Sequence, residues 1–322
     1  MDESPGISQY QREWLVEYLN SPSCHNVVVL TGAGISAAAG VPDFRSPGTG
    51  LYSQLDEYDL EQPEDLFSID YFRDHPQPFY SFSKELLPEQ LIPTTVHLFI
   101  KLLEQKRLLL RNITQNIDGL ELSAGLSPDK VVFAHGSLSS AHCIRCKAVF
   151  PTDLMNTALR AGTVTHCLNG SCRGLVKPDV VFFGEPLPRS FERATKRDLP
   201  AAQILIVLGT SLKVLPFAAL PSLVGRKVPR VLINREDITM MNPADNHSDR
   251  YYQRRGEGHP RTAVSRDVFL PGDCQDSIEQ LIEDLGWGKD LELLRQQLYG
   301  VDQDPVTRGM MDYYTDDEIM CV

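Results

Sequence analysis

Six short apolar runs, rich in β-branched residues, punctuate the chain at Asn26–Thr31, Leu108–Thr114, Val131–Ala134, Val180–Phe183, Ile204–Leu208 and Val228–Ile233. That pattern suits strands buried on both faces of a parallel sheet. Helical patterns lie between several of them, over 94–106, 188–198, 215–224 and 275–285. Residues 7–19 read as an amphipathic opening helix carrying Ile7, Trp14, Leu15, Tyr18 and Leu19. Strands alternating with helices predict βαβ units, hence an α/β fold with a doubly wound, Rossmann-like parallel sheet. In such a sheet ligands bind in the crevice beyond the carboxyl ends of the strands. The polar residues that follow each run are therefore the candidates for chemistry.

Three segments interrupt the alternation. Residues 46–93 are rich in Pro, aromatic and acidic residues and read as a helical insertion. Residues 139–178 hold four of the seven cysteines. Residues 242–266 are polar and read as a long mobile loop, and the tail after Gly300, with six acids and one arginine, is expected to be loose as well. Charge narrows the function classes. With 31 basic and 43 acidic side chains the net charge is −12 over 322 residues, which argues against a general binder of nucleic acid or anionic membrane. No apolar run approaches the length of a membrane span, and Met1–Pro5 lacks the features of a signal peptide. A cytoplasmic protein is the default expectation, with the nucleus as the alternative.

Directly after the first run comes Thr31-Gly-Ala-Gly-Ile-Ser-Ala-Ala-Ala-Gly40. Gly32, Gly34 and Ala37 fit the relaxed dinucleotide pattern G-x-G-x-x-A, in which glycines let the backbone approach a pyrophosphate and a following helix offers free N–H groups. A glycine-rich turn without a ligand is the plainer reading. A dehydrogenase places an acid at the end of a second strand about 20 residues on, but Ser46–Leu60 does not read as a strand. A dinucleotide is expected, bound in some other way than in dehydrogenases. Val41-Pro-Asp-Phe-Arg45 sets Asp43, Phe44 and Arg45 side by side after a rigid proline, which is also what an ordinary loop ion pair would look like. Gln115, Asn116 and Asp118 follow the second run and could hydrogen-bond sugar hydroxyls or an amide. His135 ends the third run, where a structural histidine and a general base are equally plausible readings. Gly209-Thr210-Ser211 and Asn234-Arg235-Glu236 end two further runs.

The cysteines carry the most specific spacing. Cys143-x2-Cys146, 20 intervening residues and Cys167-x4-Cys172 place four thiolates on two knuckles, as tetrahedral zinc requires. Four thiolates leave no open position, so such a zinc would be structural. A disulfide pair and a nucleic-acid zinc ribbon are the rival readings, the latter disfavoured because basic and aromatic residues do not interleave nearby. Cys24, Cys274 and Cys321 lack metal spacing, and Cys274 follows Pro271-Gly-Asp at an expected helix start near the crevice.

Taken together, GAGIS (32–36), VPDFR (41–45), TQNIDGLE (114–121), His135-Gly136, the four cysteines, KPDVVFFGE (177–185), GTSL (209–212), INRE (233–236) and Gly272-Asp-Cys274 resemble the sirtuin family of NAD-dependent protein lysine deacylases, in the family's order from about residue 7 to 299. The likeness is greatest to class I, in the branch that contains the human cytosolic tubulin deacetylase. The departures are the x4 knuckle, the 242–266 insertion and the acidic tail. The resemblance implies a nucleotide-binding domain in three pieces (1–45, 108–138 and 179–300), a helical insertion with a cofactor-binding loop (46–107), a structural zinc module (139–178), a flexible loop (242–266) and a tail (301–322).

The same resemblance implies the site. NAD would lie on Gly32, Ala33, Gly34 and Ile35, under Asp43, Phe44 and Arg45. Gln115, Asn116, Ile117 and Asp118 would hold its nicotinamide end. Gly209, Thr210, Ser211, Asn234, Arg235, Glu236 and Cys274 would hold its adenosine side. Val181, Phe182, Phe183, Gly184 and Glu185 would pair with the acyl-lysine peptide as an added strand, opposite Leu212 and Val214. The acyl oxygen would attack the ribose, nicotinamide would leave, and His135, aided by Asn116, would act as general base on a ribose hydroxyl, giving free lysine and O-acyl-ADP-ribose. The expected partners are lysine-bearing proteins such as histone or tubulin, with no direct nucleic-acid or membrane contact and a monomeric state. Succinyl-removing sirtuins carry Tyr-x-x-Arg in the insertion, where this chain has Tyr80 and Ser83, so an uncharged acyl group is expected. Mono-ADP-ribosyl transfer to protein and a non-catalytic NAD-sensing scaffold are the competing functions.

Overall fold

The computed structural model describes residues 9–41, 60–86, 91–238, 251–252, 263–264 and 266–299. Its centre is a six-stranded, all-parallel sheet of β1 (Val27–Thr31), β2 (Leu109–Thr114), β3 (Val131–Phe133), β7 (Ile204–Leu208), β8 (Arg230–Asn234) and β11 (Asp267–Pro271), in the order β11-β8-β7-β1-β2-β3. The chain fills one side of β1 with β2 and β3, then returns to fill the other with β7, β8 and β11. The order therefore reverses between β1 and β7, which makes the carboxyl ends of those two strands the topological switch point.

Side-chain alternation explains why this sheet is covered twice. Val27 and Val29 of β1 and Ile204 and Ile206 of β7 point into one core, with α1 (Gln9–Leu19), α4 (Thr95–Gln105), α8 (Cys274–Asp284) and α9 (Gly288–Tyr299) packed on it. Val28, Leu30, Leu205 and Val207 point the other way, under α7 (Arg189–Ala201) and the 3₁₀ segment Phe217–Ser222. Every residue of β1 and β7 is buried, the burial on both faces that their unbroken apolar runs imply.

A second lobe has its own core. The 3₁₀ segment Pro63–Phe67, α2 (Ile69–Asp74) and α3 (Gln77–Phe82) pack against a three-stranded antiparallel sheet of β4 (Gly136–Cys143), β5 (Val149–Phe150) and β6 (Val176–Val180), and against α6 (Thr152–Ala161). Phe67, Phe72, Phe79 and Phe182 meet edge to face with centroids 5.0–6.0 Å apart, a favoured aromatic geometry. The helical insertion and the cysteine-bearing module thus share one core.

Several expectations change. Val180–Phe183 is not a strand of the parallel sheet. The strand ends at Val180, and Val181–Phe183 runs on as an extended segment between the lobes, Phe183 exchanging backbone hydrogen bonds with Phe67 and Ile69. Its apolar character serves the aromatic cluster, not the sheet. The sixth parallel strand is instead β11, whose alternating burial is that of an edge strand and gives no continuous apolar run. The glycine loop leads into two 3₁₀ turns, Ala33–Ile35 and Ala37–Ala39, not a regular α-helix. The helical pattern over 215–224 is likewise a 3₁₀ segment, with Pro216 before it and Pro221 inside it. The short helix α5 (Leu120–Ser123) follows β2. Of the 242–266 insertion only the antiparallel pair β9 (Tyr251–Tyr252) and β10 (Ala263–Val264) and Arg266 are described, and the acidic tail lies outside the described residues. No described helix is long and apolar enough to cross a membrane.

Gly136 is where the two lobes join, directly after His135. Its φ is +76°, and a Cβ there would overlap the Asp179 carbonyl oxygen of the neighbouring strand β6. Gly136→Ala is expected to cost about 3 kcal/mol or more, lowering the melting midpoint by roughly 6–10 °C. Gly170→Ala, where a Cβ meets nothing within 4 Å, should leave the melt nearly unchanged in the same calorimetric experiment.

Candidate active site

The switch point opens into a cleft of about 730 Å³. Its floor is a contact between two loops. Gly34 N–H donates to Gly209 O at 2.8 Å, and Gly32 N–H to Leu208 O at 3.2 Å. A Cβ on Gly34 would sit 2.9 Å from Gly209 Cα, one on Gly209 would sit 2.6 Å from Ile35 N, and one on Gly32 would sit 2.6 Å from Thr210 Cβ. Gly34 and Gly209 are required by backbone against backbone and Gly32 by the Thr210 side chain, before any ligand is considered.

From that floor a chain of hydrogen bonds fixes the polar residues after β2. Gln115 Nε2 donates to Thr210 Oγ1 at 2.6 Å, tying the loop after β2 to the loop after β7. Asn116 Nδ2 donates to Gly32 O at 3.2 Å and to Ser36 Oγ at 3.1 Å. Ser36 donates in turn to Asp118 Oδ2 at 2.8 Å, and Asp118 Oδ1 accepts Leu120 N–H at 3.0 Å. Both amide hydrogens of Asn116 are thereby used, leaving Oδ1 as an acceptor for the cleft.

His135 stands on the same wall. Its Nδ1 lies 3.1 Å from Gln115 O. A carbonyl can only accept, so Nδ1 carries the proton and Nε2 keeps its lone pair. Burial lowers the His135 pKa, and the Gln115 carbonyl offsets this only in part. The ring is therefore neutral at pH 7 and basic at Nε2. His135 O also accepts Val181 N–H at 2.8 Å, which fixes the start of the 181–185 segment to this residue.

That segment is anchored by a buried lysine. Lys177 Nζ donates to Val180 O at 2.7 Å, pairs with Glu185 at 2.9 Å and lies 4.6 Å from the centroid of Phe182. Glu185 accepts Phe182 N–H at 3.0 Å. At the opposite rim, Asp273 caps α8 through Gln275 N–H at 2.8 Å and pairs with Arg235 at 2.6 Å. Cys274, next in the chain, donates its S–H to Gly34 O, and burial pushes its thiol up to about 11. It is a packed thiol and not a nucleophile.

The cleft gathers most of the residues singled out from the sequence: Ala33, Gly34, Gln115, Asn116, Ile117, His135, Val181–Glu185, Gly209–Ser211, Val214, Asn234–Glu236 and Cys274 all line it. Gly32 and Ile35 lie in the floor beneath, Ile35 fully buried. Asp118 stands behind Asn116, and Leu212 is not part of the wall. Asp43, Phe44 and Arg45 fall outside the described residues. Sequence reading passed over Ser36, Lys177, Phe67 and Leu215. Ser36 sits inside the glycine motif and Lys177 heads the 177–185 run, so the signal was present but read for its neighbours.

The four cysteines converge at the far end of the second lobe. Their sulfurs all lie within 4.8 Å of one another, with Cys143 and Cys172 at 3.7 Å and Cys146 and Cys167 at 3.6 Å. A tetrahedral zinc with bonds of about 2.3 Å needs sulfurs about 3.8 Å apart, so the cluster fits a structural zinc site. Gly174 makes room, since a Cβ there would meet Cys143 Sγ at 2.8 Å. Because the knuckles close the sheet that begins at Gly136, zinc loss should be felt at the cleft. Cys143→Ser is expected to remove one zinc per chain, read by atomic emission, and to lower the melting midpoint.

Residues 32–216 match the Sir2 family. The chain is 47% identical over 287 residues to the NAD-dependent deacetylase sir2A of Dictyostelium discoideum, an alignment covering 89% of this chain and 54% of that protein. It is 41% identical to the NAD-dependent protein deacetylase sirtuin-2 of Danio rerio, covering 90% of this chain and 76% of the relative. Against the NAD-dependent protein deacetylase sirtuin-3 of Mus musculus the figures are 42%, 89% and 79%. The chain thus spans about half the length of the Dictyostelium relative and more than three quarters of the other two. On the breadth of these matches, the chain belongs to the Sir2 family.

Proposed function

We propose that this protein is an NAD-dependent protein lysine deacylase, moving the acyl group of a modified lysine to ADP-ribose. The observation that carries the reading is the state of His135: a neutral imidazole, oriented by the Gln115 carbonyl, with its free nitrogen at a switch-point cleft. No serine, threonine or cysteine side chain among the described residues hydrogen-bonds to it, so the base has no protein nucleophile to activate. The residues fit NAD as the other reactant. The floor brings loop backbone and the first turn of α8 to the carboxyl ends of β1 and β7, where nucleotides bind in sheets of this kind. NAD, when bound, supplies an electrophilic ribose carbon and nicotinamide as the leaving group.

The chain's own part is binding and proton transfer. Asn116 presents Oδ1 as an acceptor for a sugar hydroxyl, its orientation fixed by Gly32 and Ser36. His135 Nε2 takes a proton from a hydroxyl. Val181–Glu185, tethered to His135 and Lys177, offers extended backbone to a peptide, and Phe183 and Leu215 give the mouth exposed apolar surface at 46% and 74%. An uncharged acyl group is supported by the second-lobe core, where Ser83 is fully buried and its hydroxyl donates to Tyr80 O at 2.7 Å. No cation stands at that position to receive an acyl carboxylate.

Incubation with NAD and an acetylated peptide should yield nicotinamide, free lysine and O-acetyl-ADP-ribose by mass spectrometry. ADP-ribosylated protein as the sole product would overturn the reading. His135→Tyr should reduce turnover by roughly 10²–10⁴-fold with zinc content unchanged. Because burial lowers the His135 pKa, activity should fall as pH drops through a midpoint below the ordinary imidazole value of about 6.5. A succinylated peptide should react more slowly than its acetylated counterpart.

A further inference from the structure

Behind the cleft the interior holds a cluster that the scheme above does not use. His97 of α4, Asp118 and Glu121 of α5 bring one ligand-type atom each to within 4.8 Å of one another. His97 and Glu121 are each 1% exposed. Nε2 of His97 and both carboxyl oxygens of Glu121 make no hydrogen bond among the described residues. An ionised carboxylate buried in that condition is strongly unfavourable. A divalent cation, a histidinium partner or a proton would each relieve it.

His97 decides between them. Thr94 N–H donates to Nδ1 at 3.1 Å, and the Thr94 hydroxyl lies 2.8 Å from the same nitrogen and 2.9 Å from Ile35 O, to either of which it can donate. A backbone N–H can only donate, so Nδ1 accepts and the ring proton sits on Nε2, which leaves neither ring nitrogen a free lone pair. A cation would need the lone pair that this proton occupies. Nor is the ring a cation itself, since complete burial lowers its pKa to about 3. A proton on one of the two carboxyls remains.

Asp118 is the better carboxylate. Burial raises its pKa, but Ser36 O–H and Leu120 N–H both stabilise its charge. Glu121 has burial and then the Asp118 charge against it, and its pKa rises to about 8. The groups around it are His97 from α4, Asp118 from the preceding turn and Thr114 from β2. The Thr114 hydroxyl and the backbone of Glu121 itself favour ionisation, but burial and Asp118 outweigh them. Lys101, one turn along α4 from His97, is paired with Glu104 at 2.7 Å. Asp118 is thus the one charge that Glu121 feels.

We propose that Glu121 is a positioning residue for Asp118: a buried carboxylic acid, set between His97 and Asp118, that leaves Asp118 the single anion behind the cleft and keeps the Asp118–Ser36–Asn116 chain in line. Its kinetic consequence rests on the deacylase reading; its protonation does not. Loss of the Glu121 proton places two carboxylates side by side, and the repulsion is relieved by moving the turn that holds Asn116.

The test compares the full-length protein with Glu121→Gln, which keeps size and polarity but cannot ionise. At pH 7 the wild-type infrared spectrum should contain a buried carboxylic-acid C=O band that ¹³C-labelled glutamate shifts and that Glu121→Gln lacks. If the variant fails to fold, the labelled wild-type protein still decides, because the shifted band should vanish as pH is raised past about 8. In steady-state assays Glu121→Gln should remain within about twofold of wild type at pH 7. At pH 9 the wild-type kcat/KM for NAD should be about tenfold lower than at pH 7, the protonated fraction one unit above a pKa being roughly one in ten, and Glu121→Gln should lack that fall. Absence of the glutamate band at pH 7 overturns the proposal, as does a second metal ion per chain that Glu121→Gln removes, or an alkaline fall that the variant retains. A wild-type protein that shows the band but consumes no NAD would overturn the deacylase reading and leave the protonated Glu121 standing.

Discussion

Everything at the cleft depends on the close approach of two loops, the one after β1 and the one after β7. Gly34 and Gly209 touch through backbone atoms, with no room for a Cβ on either. Adjacent parallel strands end side by side, and only glycine lets their exits fold over one another at that distance. The contact supplies the floor of the cleft and presents Gly32 O and Ser36 as fixed partners for Asn116. Thr210, next to Gly209, fixes Gln115, whose carbonyl in turn sets the tautomer of His135. The base, the amide and the binding floor are thus one rigid assembly, oriented without help from the ligand. Under the deacylase proposal, such preorganisation would hold a reacting sugar in one geometry.

The second lobe acts on the first through a short stretch of chain. His135 lies in the turn two residues past the last parallel strand, and Gly136 already belongs to the antiparallel module that the cysteines close. Val181, directly after the strand that returns from that module, bonds back to His135, and Lys177 holds the following residues against the aromatic core. A zinc at the far end would carry no chemistry, yet it would fix the two strands that frame the base. The shared core of insertion and module takes in Phe182 and so holds the 181–185 segment to both.

Much of this was legible from residue order. Runs such as Val27–Leu30 and Ile204–Leu208 are apolar at every position because both faces of a central strand are covered, so they announce themselves. The edge strand Asp267–Pro271 does not, since one of its faces meets solvent and its pattern alternates. Val180–Phe183 misleads for a different reason, because Val180 and Phe182 are apolar for the sake of the second lobe's own core. The glycine motif was read for a phosphate, although its first structural demand is the loop from β7, a residue pair some 175 positions apart that local sequence cannot reveal. Lys177 and Glu121 escaped notice because a charged residue is assumed to be solvated until burial says otherwise.

The sequence by itself determined the parallel sheet, the cysteine quartet and the set of polar residues at the strand ends, since these follow from periodicity, ligand chemistry and position along the chain. Only the tertiary structure decided what those residues can do. Tautomer and charge depend on which carbonyl, hydroxyl or carboxylate lies within hydrogen-bond reach and on how far water is excluded. His135 and His97 are the same residue type with opposite tautomers, one freeing Nε2 to act as a base and the other placing a proton there. That difference is written in the positions of Gln115 O and Thr94 N, which no reading of residue order supplies.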